Sequence, residues 1–406
     1  MHLLRDHCVS CHNPDKTKGD LDLTRRQTAL IGGGEGPALV EGKPGESHLI
    51  QFLKPDSDPH MPPKKQLSDN HIATLSQWIK AGAEWLPEEL VVRNQSVDVS
   101  ELGNLPEGYR PVFALAPSPD GKKLAAGHGN QLIIHSVAEK EAKRLAKLDG
   151  HRDVVQSIAW SPDGRHLATG GFRKVILWDT ADWTSVGELT DLPGRVTAIA
   201  FSTENQALIT ASNEPGQAGE IVLWQRDSLA KRLAWPAHDG TVFAIALAPD
   251  GKTIATAGED QLIRFWNLTD GNRLMQIEAH SAPVLSLAFK PDGTAIASGG
   301  ADKELKIWDT QTREQKALIT GHPGNVAGIA WPAKDATLIT ACDDGVVRLC
   351  TETGKRPTKS WNPAADLLHC FGVNSDGTVY FGGADNGRVY VWDKKGVITL
   401  TLGWQK

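Results

Sequence analysis

The sequence predicts a multidomain protein in which a small all-α domain precedes an all-β, seven-bladed propeller. Three observations predict this fold. A unit recurs every 42 to 46 residues along most of the 406-residue chain. The first 86 residues do not share this repeat, and they contain a segment of helical periodicity. The chain also carries "HCVSCH" at residues 7–12, which places two cysteines and two histidines close together.

The repeat is clearest in units such as "GHRDVVQSIAWSPDGRHLATGGFRKVILWD" and "AHSAPVLSLAFKPDGTAIASGGADKELKIWD". Each has a histidine near its start, apolar runs separated by turn residues, and an ending related to Trp-Asp. The ending occurs seven times, at His135, Trp178, Trp224, Trp266, Trp308, Cys350 and Trp392. Short, β-branched runs between turns predict strands, and four strands per unit of this length predict a propeller blade.

These units closely resemble the WD-repeat family, over roughly residues 109–406. The resemblance implies that a buried His, Ser or Thr, Asp and Trp tie together the strands of one blade. The fourth and fifth units provide full sets, which are His238, Thr256, Asp260 and Trp266, and His280, Ser298, Asp302 and Trp308. Cys350 replaces the tryptophan in the sixth unit, and units one, three and seven lack the histidine. Because the histidines recur at one repeat position, packing explains them better than catalysis does.

The segment before the repeat contains one well-marked helix, predicted over residues 68–83. Ser68 is a suitable N-cap and Gly82 a suitable stop. Its apolar stripe comprises Ile72, Leu75, Trp78 and Ile79. Residues 3–7 could form the end of a first helix, and residues 31–66 read mostly as loop. This is little secondary structure for a core of this size, so a bound cofactor could supply the missing apolar centre.

The cysteine pair has several possible interpretations. A zinc site needs two further ligands, usually as a second close pair, and none follows nearby. A thioredoxin-like redox pair needs a βαβ surround, which is absent. Cys-x-x-Cys-His is the attachment signature of c-type haem. We therefore predict one covalently attached haem c, with Cys8 and Cys11 forming thioethers to its vinyl groups and His12 as the fixed axial ligand of the iron.

The sixth iron ligand can be sought among the three methionines. Met1 is the initiator, and Met275 lies at a strand-like position of the propeller. Met61 precedes two prolines in "DPHMPPKKQ", and these stiffen a polar loop that does not resemble a core segment. We predict Met61 as the ligand, with His60 or an open coordination position as the alternatives.

Four stretches within residues 4–85 carry a second resemblance. They read "CVSCHNPDKTKGDLDL", "GGGEGPALVEGKPGESHLI", "HMPP" and "LSDNHIATLSQWIKAGAEW". As a set they resemble the small c-type cytochrome domain that is fused to larger domains in planctomycete-like bacteria. The resemblance implies that Cys8 and Cys11 attach haem, that His12 is the proximal ligand and that Met61 is the distal ligand. Covalent haem attachment in such bacteria takes place outside the cytoplasm. We expect a periplasmic or otherwise exported protein, although this chain shows no signal peptide.

The sequence is thus divided into a c-type cytochrome domain at residues 1–86, a linker at 87–108 and a seven-bladed WD-repeat propeller at 109–406. Either the linker or residues 396–402 could add a strand that closes the propeller. The net charge of −6 and the lack of a long basic run argue against nucleic acid as a partner. No apolar run approaches the length of a membrane span.

We expect an electron-transfer or redox-sensing cytochrome whose propeller docks a protein redox partner or assembly. No cluster in one blade pairs a nucleophile with a base, so we predict no catalytic residue and an electron carrier rather than an enzyme. The alternative is a haem-relay domain of an oxidoreductase whose catalytic site lies on the propeller or on a partner. A scaffold with a purely structural haem is a third possibility. Residues 213–220, an insertion in the third unit, are the expected contact loop.

Overall fold

The structure is a computed structural model. It describes residues 2–9, 11–13, 16–57, 60–62, 66–83, 110–137, 142–332, 337–361, 363–364, 366–374 and 376–403. The chain divides into two compact units, residues 1–101 and 102–406. The linker expected at residues 87–108 lies outside the described residues, so its bounds stay a prediction.

The first unit is built from a few short helices. They are α1 (His2–His7), α2 (Arg26–Ile31), α3 (His48–Gln51) and α4 (Asp69–Lys80). Single turns of 3₁₀ helix lie at Lys18–Asp20 and Pro44–Glu46. Two very short strands, β1 (His12–Asn13) and β2 (Lys16–Thr17), pair antiparallel. The expected small helical domain is present, with this two-residue ladder added.

Helix α4 begins and ends where the sequence indicates. The Ser68 side chain accepts a hydrogen bond from the His71 backbone N at 3.4 Å, and Gly82 has a φ of +99°. Leu75 and Ile79 are buried against Leu4, Leu23, Leu39 and Leu53. The described part of residues 31–66 is mostly loop, as expected, but the sequence did not predict helices α2 and α3. With six and four residues, they are too short to show a helical period.

The second unit consists of seven four-stranded antiparallel sheets, numbered blades 1 to 7 in chain order. Blade 1 contains β3 (Val112–Pro117), β4 (Lys123–His128), β5 (Gln131–Ser136) and β6 (Lys143–Asp149). Blade 2 contains β7 (Ser157–Trp160), β8 (His166–Gly170), β9 (Val175–Asp179) and β10 (Ser185–Leu189). Blade 3 contains β11 (Arg195–Phe201), β12 (Ala207–Asn213), β13 (Gly219–Gln225) and β14 (Lys231–His238). Blade 4 contains β15 (Val242–Leu247), β16 (Thr253–Gly258), β17 (Leu262–Asn267) and β18 (Arg273–Glu278).

The remaining three blades repeat this pattern. Blade 5 contains β19 (Val284–Phe289), β20 (Ala295–Gly300), β21 (Leu305–Asp309) and β22 (Gln315–Ile319). Blade 6 contains β23 (Val326–Ala330), β24 (Thr337–Cys342), β25 (Val347–Thr351) and β26 (Lys359–Ser360). Blade 7 contains β27 (Leu368–Val373), β28 (Val379–Ala384), β29 (Arg388–Asp393) and β30 (Ile398–Gly403). The seven blades confirm the count from the Trp-Asp-like endings.

Every blade is made of four consecutive strands. The sequence offered two segments that could add a strand to close the propeller. One of them, residues 396–402, forms most of β30, the outer strand of blade 7. The other alternative, a strand from the linker, lies outside the described residues. Within those residues no sheet combines strands from the two ends of the propeller. Blades 1 and 7 meet through an apolar cluster that includes Val112, Leu124, Phe381 and Val391, and the Cys370 thiol donates to Val112 O at 3.3 Å.

The polar sets expected in blades 4 and 5 are formed. In blade 4, His238 Nε2 lies 2.8 Å from Thr256 Oγ1, and Trp266 Nε1 donates to the same oxygen at 2.9 Å. His238 Nδ1 lies 2.7 Å from Asp260. Blade 5 repeats these contacts through His280, Ser298, Asp302 and Trp308. In blade 6 the buried Cys350 replaces the tryptophan, and the His322–Thr340 contact is longer, at 3.2 Å.

Candidate functional site

A cleft in the first unit brings together all four residues predicted to bind the cofactor. The space within it amounts to about 980 Å³ when the part that is open solvent is counted. Cys8, Cys11, His12 and Met61 all line it. Much of its remaining wall is apolar, formed by Leu21, Leu23, Ala38, Leu49, Phe52 and Leu53. The structure therefore provides the apolar space that the sparse secondary structure of this segment implies.

The backbone that follows α1 directs the cysteines and His12 toward one wall. Cys8 N donates to Leu4 O at 2.9 Å, which ends the helix, and His12 N donates back to Cys8 O at 3.1 Å. His12 O in turn accepts from Leu23 N at 2.9 Å. His12 is thus held on both sides, while the turn between the two cysteines keeps their side chains on the same cleft.

The surroundings of Cys8 oppose thiolate chemistry. Burial raises the pKa of its thiol to about 12, and the neighbouring Cys11 adds to the shift. Reactive or metal-binding cysteines have lowered pKa values, because the thiolate is the nucleophile and the ligand. A neutral thioether has no such requirement. The raised pKa keeps the Cys8 thiol protonated at neutral pH, which disfavours a redox pair and is compatible with a thioether bond.

Met61 and His60 are adjacent in the chain but differ in position. Met61 N donates to Phe52 O at 2.8 Å, and the Met61 side chain lines the cleft. The ring of His60 is instead hydrogen-bonded to the side-chain oxygen of Gln66, and His60 is not among the residues that line the cleft. The geometry favours Met61 over His60 as the residue facing a bound group.

A glycine-rich turn forms a further part of the wall. A Cβ at Gly32, where φ is +85°, would lie 1.8 Å from Gly36 O, and a Cβ at Gly33 would lie 2.1 Å from Gly19 O. Side chains at these positions would collide with the backbone. The run "IGGGEG" therefore allows the chain to fold closely along the cleft, and Gly33 and Gly36 both line it.

Sequence reasoning missed His48, Lys18 and Glu35, which also line the cleft. His48 lies in α3 with its Nδ1 buried and without a hydrogen-bond partner in the described part of the chain. One signal for it existed in the sequence, because the first 86 residues hold six of the fourteen histidines. Lys18 and Glu35 gave no comparable signal, since charged residues are common in loops.

Comparison with known families separates the two units in the same way. Residues 8–65 match the family described as Planctomycete cytochrome C. Segments of the second unit match the WD domain, G-beta repeat, at residues 142–179, 230–267, 271–309 and 313–350. The chain carries a planctomycete cytochrome c domain and a WD40 propeller. The cytochrome c match contains all four cleft residues predicted from the sequence, Cys8, Cys11, His12 and Met61.

The WD40 matches are offset from the blades by one strand. The match at residues 142–179, for example, covers β6 of blade 1 and then β7 to β9 of blade 2. The matched segments supply the three inner strands of blades 2, 4, 5 and 6. The unmatched blades 1, 3 and 7 are those in which the sequence lacks the repeat histidine, so their fold depends more on apolar packing.

Curated relatives resemble this chain over part of its length. "WD repeat-containing protein slp1" of Schizosaccharomyces pombe is 28% identical over 178 residues, which are 43% of this chain and 36% of that protein. "Cell division cycle 20.1, cofactor of APC complex" of Arabidopsis thaliana is 30% identical over 193 residues, which are 44% of this chain and 41% of that protein. The chain thus spans less than half the length of these relatives.

The donor set of the cleft fits a haem of the c type. Two cysteines for thioether bonds, an imidazole and a thioether sulfur are the groups that such a haem requires. His12 Nδ1 is buried and has no hydrogen-bond partner within the described residues. An unsatisfied buried polar atom costs about 1–3 kcal/mol, which is consistent with a site completed by a bound group.

A second cluster of ligand-type residues lies in the WD40 propeller. His280, Asp302 and Glu304 are close enough to hold a cation. Their polar atoms are already engaged, since His280 Nδ1 lies 2.9 Å from Asp302 and Glu304 forms an ion pair with Lys306 at 3.1 Å. The His280–Asp302 contact belongs to the polar set of blade 5 and the Glu304–Lys306 contact is a local ion pair, so the cluster has a structural explanation. Among the described residues, no helix is both long and apolar enough to cross a membrane.

Proposed function

We propose that this protein is a periplasmic or otherwise exported c-type cytochrome that transfers electrons or senses redox state. Its WD40 propeller acts as the docking scaffold for a protein redox partner or assembly. The observation that carries the proposal is that Cys8, Cys11, His12 and Met61 line one largely apolar cleft, inside the segment that matches a cytochrome c family.

Each of these residues has a distinct part in holding one haem c. Cys8 and Cys11 would attach it through thioether bonds, and His12 and Met61 would bind its iron. Bound haem supplies one-electron oxidation and reduction, and His/Met ligation favours a raised potential. The leucines and Phe52 of the cleft wall would exclude water from a bound haem. Because His12 and Met61 would both bind the iron, the site would suit electron exchange better than substrate turnover.

The docking role rests on the second unit. WD40 propellers are typically protein-interaction scaffolds, and insertions in repeat proteins map to face loops, which are frequent binding surfaces. The insertion of blade 3 forms such a loop, residues 214–218, between β12 and β13. Asn213 Nδ2 steadies its start by donating to Glu214 O at 3.3 Å. We therefore assign partner contact to this face.

The test of the cytochrome assignment is covalent haem. The full chain is expressed with a bacterial export leader and the machinery for haem attachment. Haem should stay with the polypeptide after denaturation and acid–acetone extraction, at one per chain. The double variant Cys8→Ala/Cys11→Ala should lose it, because both thioether bonds are removed. Covalent haem in the exported double variant would refute the assignment.

A second measurement separates electron transfer from a purely structural haem. The bound haem should cycle reversibly between its ferric and ferrous states under mild chemical reductants and oxidants, as judged by its absorption spectrum. A haem that cannot be cycled without loss of the fold would leave only the structural role.

A further inference from the structure

A second imidazole lines the cleft beside Met61. His48 begins α3, and its ring stacks on Phe52 with a centroid separation of 5.4 Å and an angle of 24°. A Cβ at Gly36 would lie 3.1 Å from His48 Cε1. The ring thus contacts both a phenyl ring and a glycine that leaves room for it. Its Nδ1 is buried without a hydrogen-bond partner among the described residues.

The backbone ties His48 and Met61 to one wall of the cleft. Phe52 N donates to His48 O at 3.0 Å, and Met61 N donates to Phe52 O at 2.8 Å. All three side chains line the cleft. His12 comes from a different segment, where Cys8 O and Leu23 N hold it. The 48–61 wall therefore carries two side chains able to bind iron, one thioether and one imidazole.

The two side chains differ in the metal state that they favour. Thioether sulfur is a soft ligand, whereas imidazole binds the harder ferric ion well. His60, the other histidine near Met61, is hydrogen-bonded to Gln66 instead. His48 has no such competing bond at Nδ1. His7 also lines the cleft, but it adjoins Cys8 on the segment that carries His12. His48 is therefore the imidazole on the Met61 side of the cleft that is available to replace Met61.

We propose that His48 is a reserve distal ligand, which coordinates the haem iron when the Met61 thioether is absent. This inference rests on the proposed function, because it requires the haem. It adds a residue that the attachment motif does not contain, and it assigns a role to the wall formed by α3. Exchange between the two residues would change the axial ligand from sulfur to nitrogen without opening the iron to water or to small ligands.

The test compares spin states and ligand access in four exported proteins. They are the wild type, Met61→Ala, Met61→Ala/His48→Leu and Met61→Ala/His60→Leu. Ferric Met61→Ala should stay six-coordinate and low-spin by absorption and electron paramagnetic resonance, with the g-values of bis-imidazole ligation. Adding His48→Leu should convert it to high-spin, and adding His60→Leu should not.

Binding of carbon monoxide and cyanide provides the second readout. Apparent affinity falls by the fraction of protein in the competent state, so Met61→Ala/His48→Leu should bind cyanide about tenfold or more tightly than Met61→Ala. The variant Met61→Ala/His48→Gln repeats the test with a polar side chain, in case leucine disturbs the packing on Phe52. High-spin ferric iron in Met61→Ala, or a low-spin state that depends on His60, would overturn the inference. Absence of covalent haem from all four proteins would instead refute the proposed function.

Discussion

Met61 and His60 are neighbours in the chain, yet the structure gives only Met61 access to the cleft. Replacing Met61 with Ala should lower the haem reduction potential, because thioether ligation raises it. The expected decrease is on the order of 0.1 V, within the range of about 0.8 V over which axial ligands set haem potentials. A potentiometric titration followed by absorbance measures it.

The matched control for Met61→Ala is His60→Ala, which changes the adjacent residue. It should leave both the potential and the spectrum close to those of the wild type, since the His60 ring is hydrogen-bonded to Gln66. A shift in potential for His60→Ala with none for Met61→Ala would reverse the ligand assignment.

Only some of the residues that line the cleft could be predicted from the sequence, and the reasons are physical. Cys8, Cys11 and His12 could be identified because their chemistry requires a fixed local spacing. Met61 could be reached because few methionines exist and two prolines follow this one. The enrichment of histidines in the first 86 residues does not single out His48, because its place in the wall depends on the close turn at Gly32 and Gly36, which is a three-dimensional property.

Within a blade, the hydrogen bonds of one hydroxyl connect separate strands. In blade 4, Thr256 Oγ1 receives the Trp266 indole N–H and also contacts His238 Nε2. The isosteric variant Thr256→Val should lower the free energy of unfolding by about 2–4 kcal/mol, because it leaves two buried polar groups unsatisfied. Urea unfolding measures the loss.

The same substitution in blade 6 is the matched comparison. Cys350 replaces the tryptophan there, and the contact of Thr340 Oγ1 with His322 Nε2 is 3.2 Å long. Thr340→Val should therefore lower the free energy of unfolding by only about 1 kcal/mol. Equal losses for the two variants would mean that the indole hydrogen bond contributes little to the stability of blade 4.

Elements with a strong local pattern were predicted well. Helix α4 was found through its cap and apolar stripe, and the polar sets of blades 4 and 5 through their regular spacing. Helices α2 and α3 were missed because one turn or two cannot display a period. Helix α2 also lacks a side-chain cap, since Arg25 occupies its N-cap position.

At the scale of the whole propeller, buried histidines predict a marked sensitivity to acid. Burial lowers the pKa of His128 to about 3 and those of His135, His151 and His322 to about 4. In the unfolded chain a histidine titrates near pH 6.5. As the pH falls below about 6.5, the unfolded state takes up protons that the folded state does not, so stability decreases. At pH 5 each such histidine should lower the free energy of unfolding by roughly 1–2 kcal/mol relative to neutral pH.

Tryptophan fluorescence can follow this effect, because eleven of the thirteen tryptophans lie at residues 160–404. The urea midpoint of the full chain should decrease steadily from pH 7 to pH 5. His128→Leu should flatten this dependence, since it removes one buried group that resists protonation. An unchanged pH dependence in that variant would show that His128 titrates alike in both states.

The closure of the ring is the large-scale property that the sequence left open. Both a linker strand and residues 396–402 were suitable candidates. Among the described residues, the latter supply the outer strand β30 of blade 7, and an apolar cluster joins blades 7 and 1. Phe381 is fully buried there, at a position where the other blades have Ala or Ile. One larger side chain at a repeat position was too weak a signal to predict from the sequence where blades 7 and 1 meet.

No described sheet contains strands from both ends of the propeller. The ring therefore does not require the chain to begin at blade 1 and end at blade 7. Consecutive blades are joined by short connections, from three residues at 239–241 to seven at 150–156. Blades 7 and 1 are neighbours in the same sense, since β27 packs beside β3. A linker of similar length could therefore join Gly403 to Arg110, and the chain could be cut between any other two blades. Such a circular permutant would keep all seven sheets intact, so a new terminus could be placed at any blade boundary.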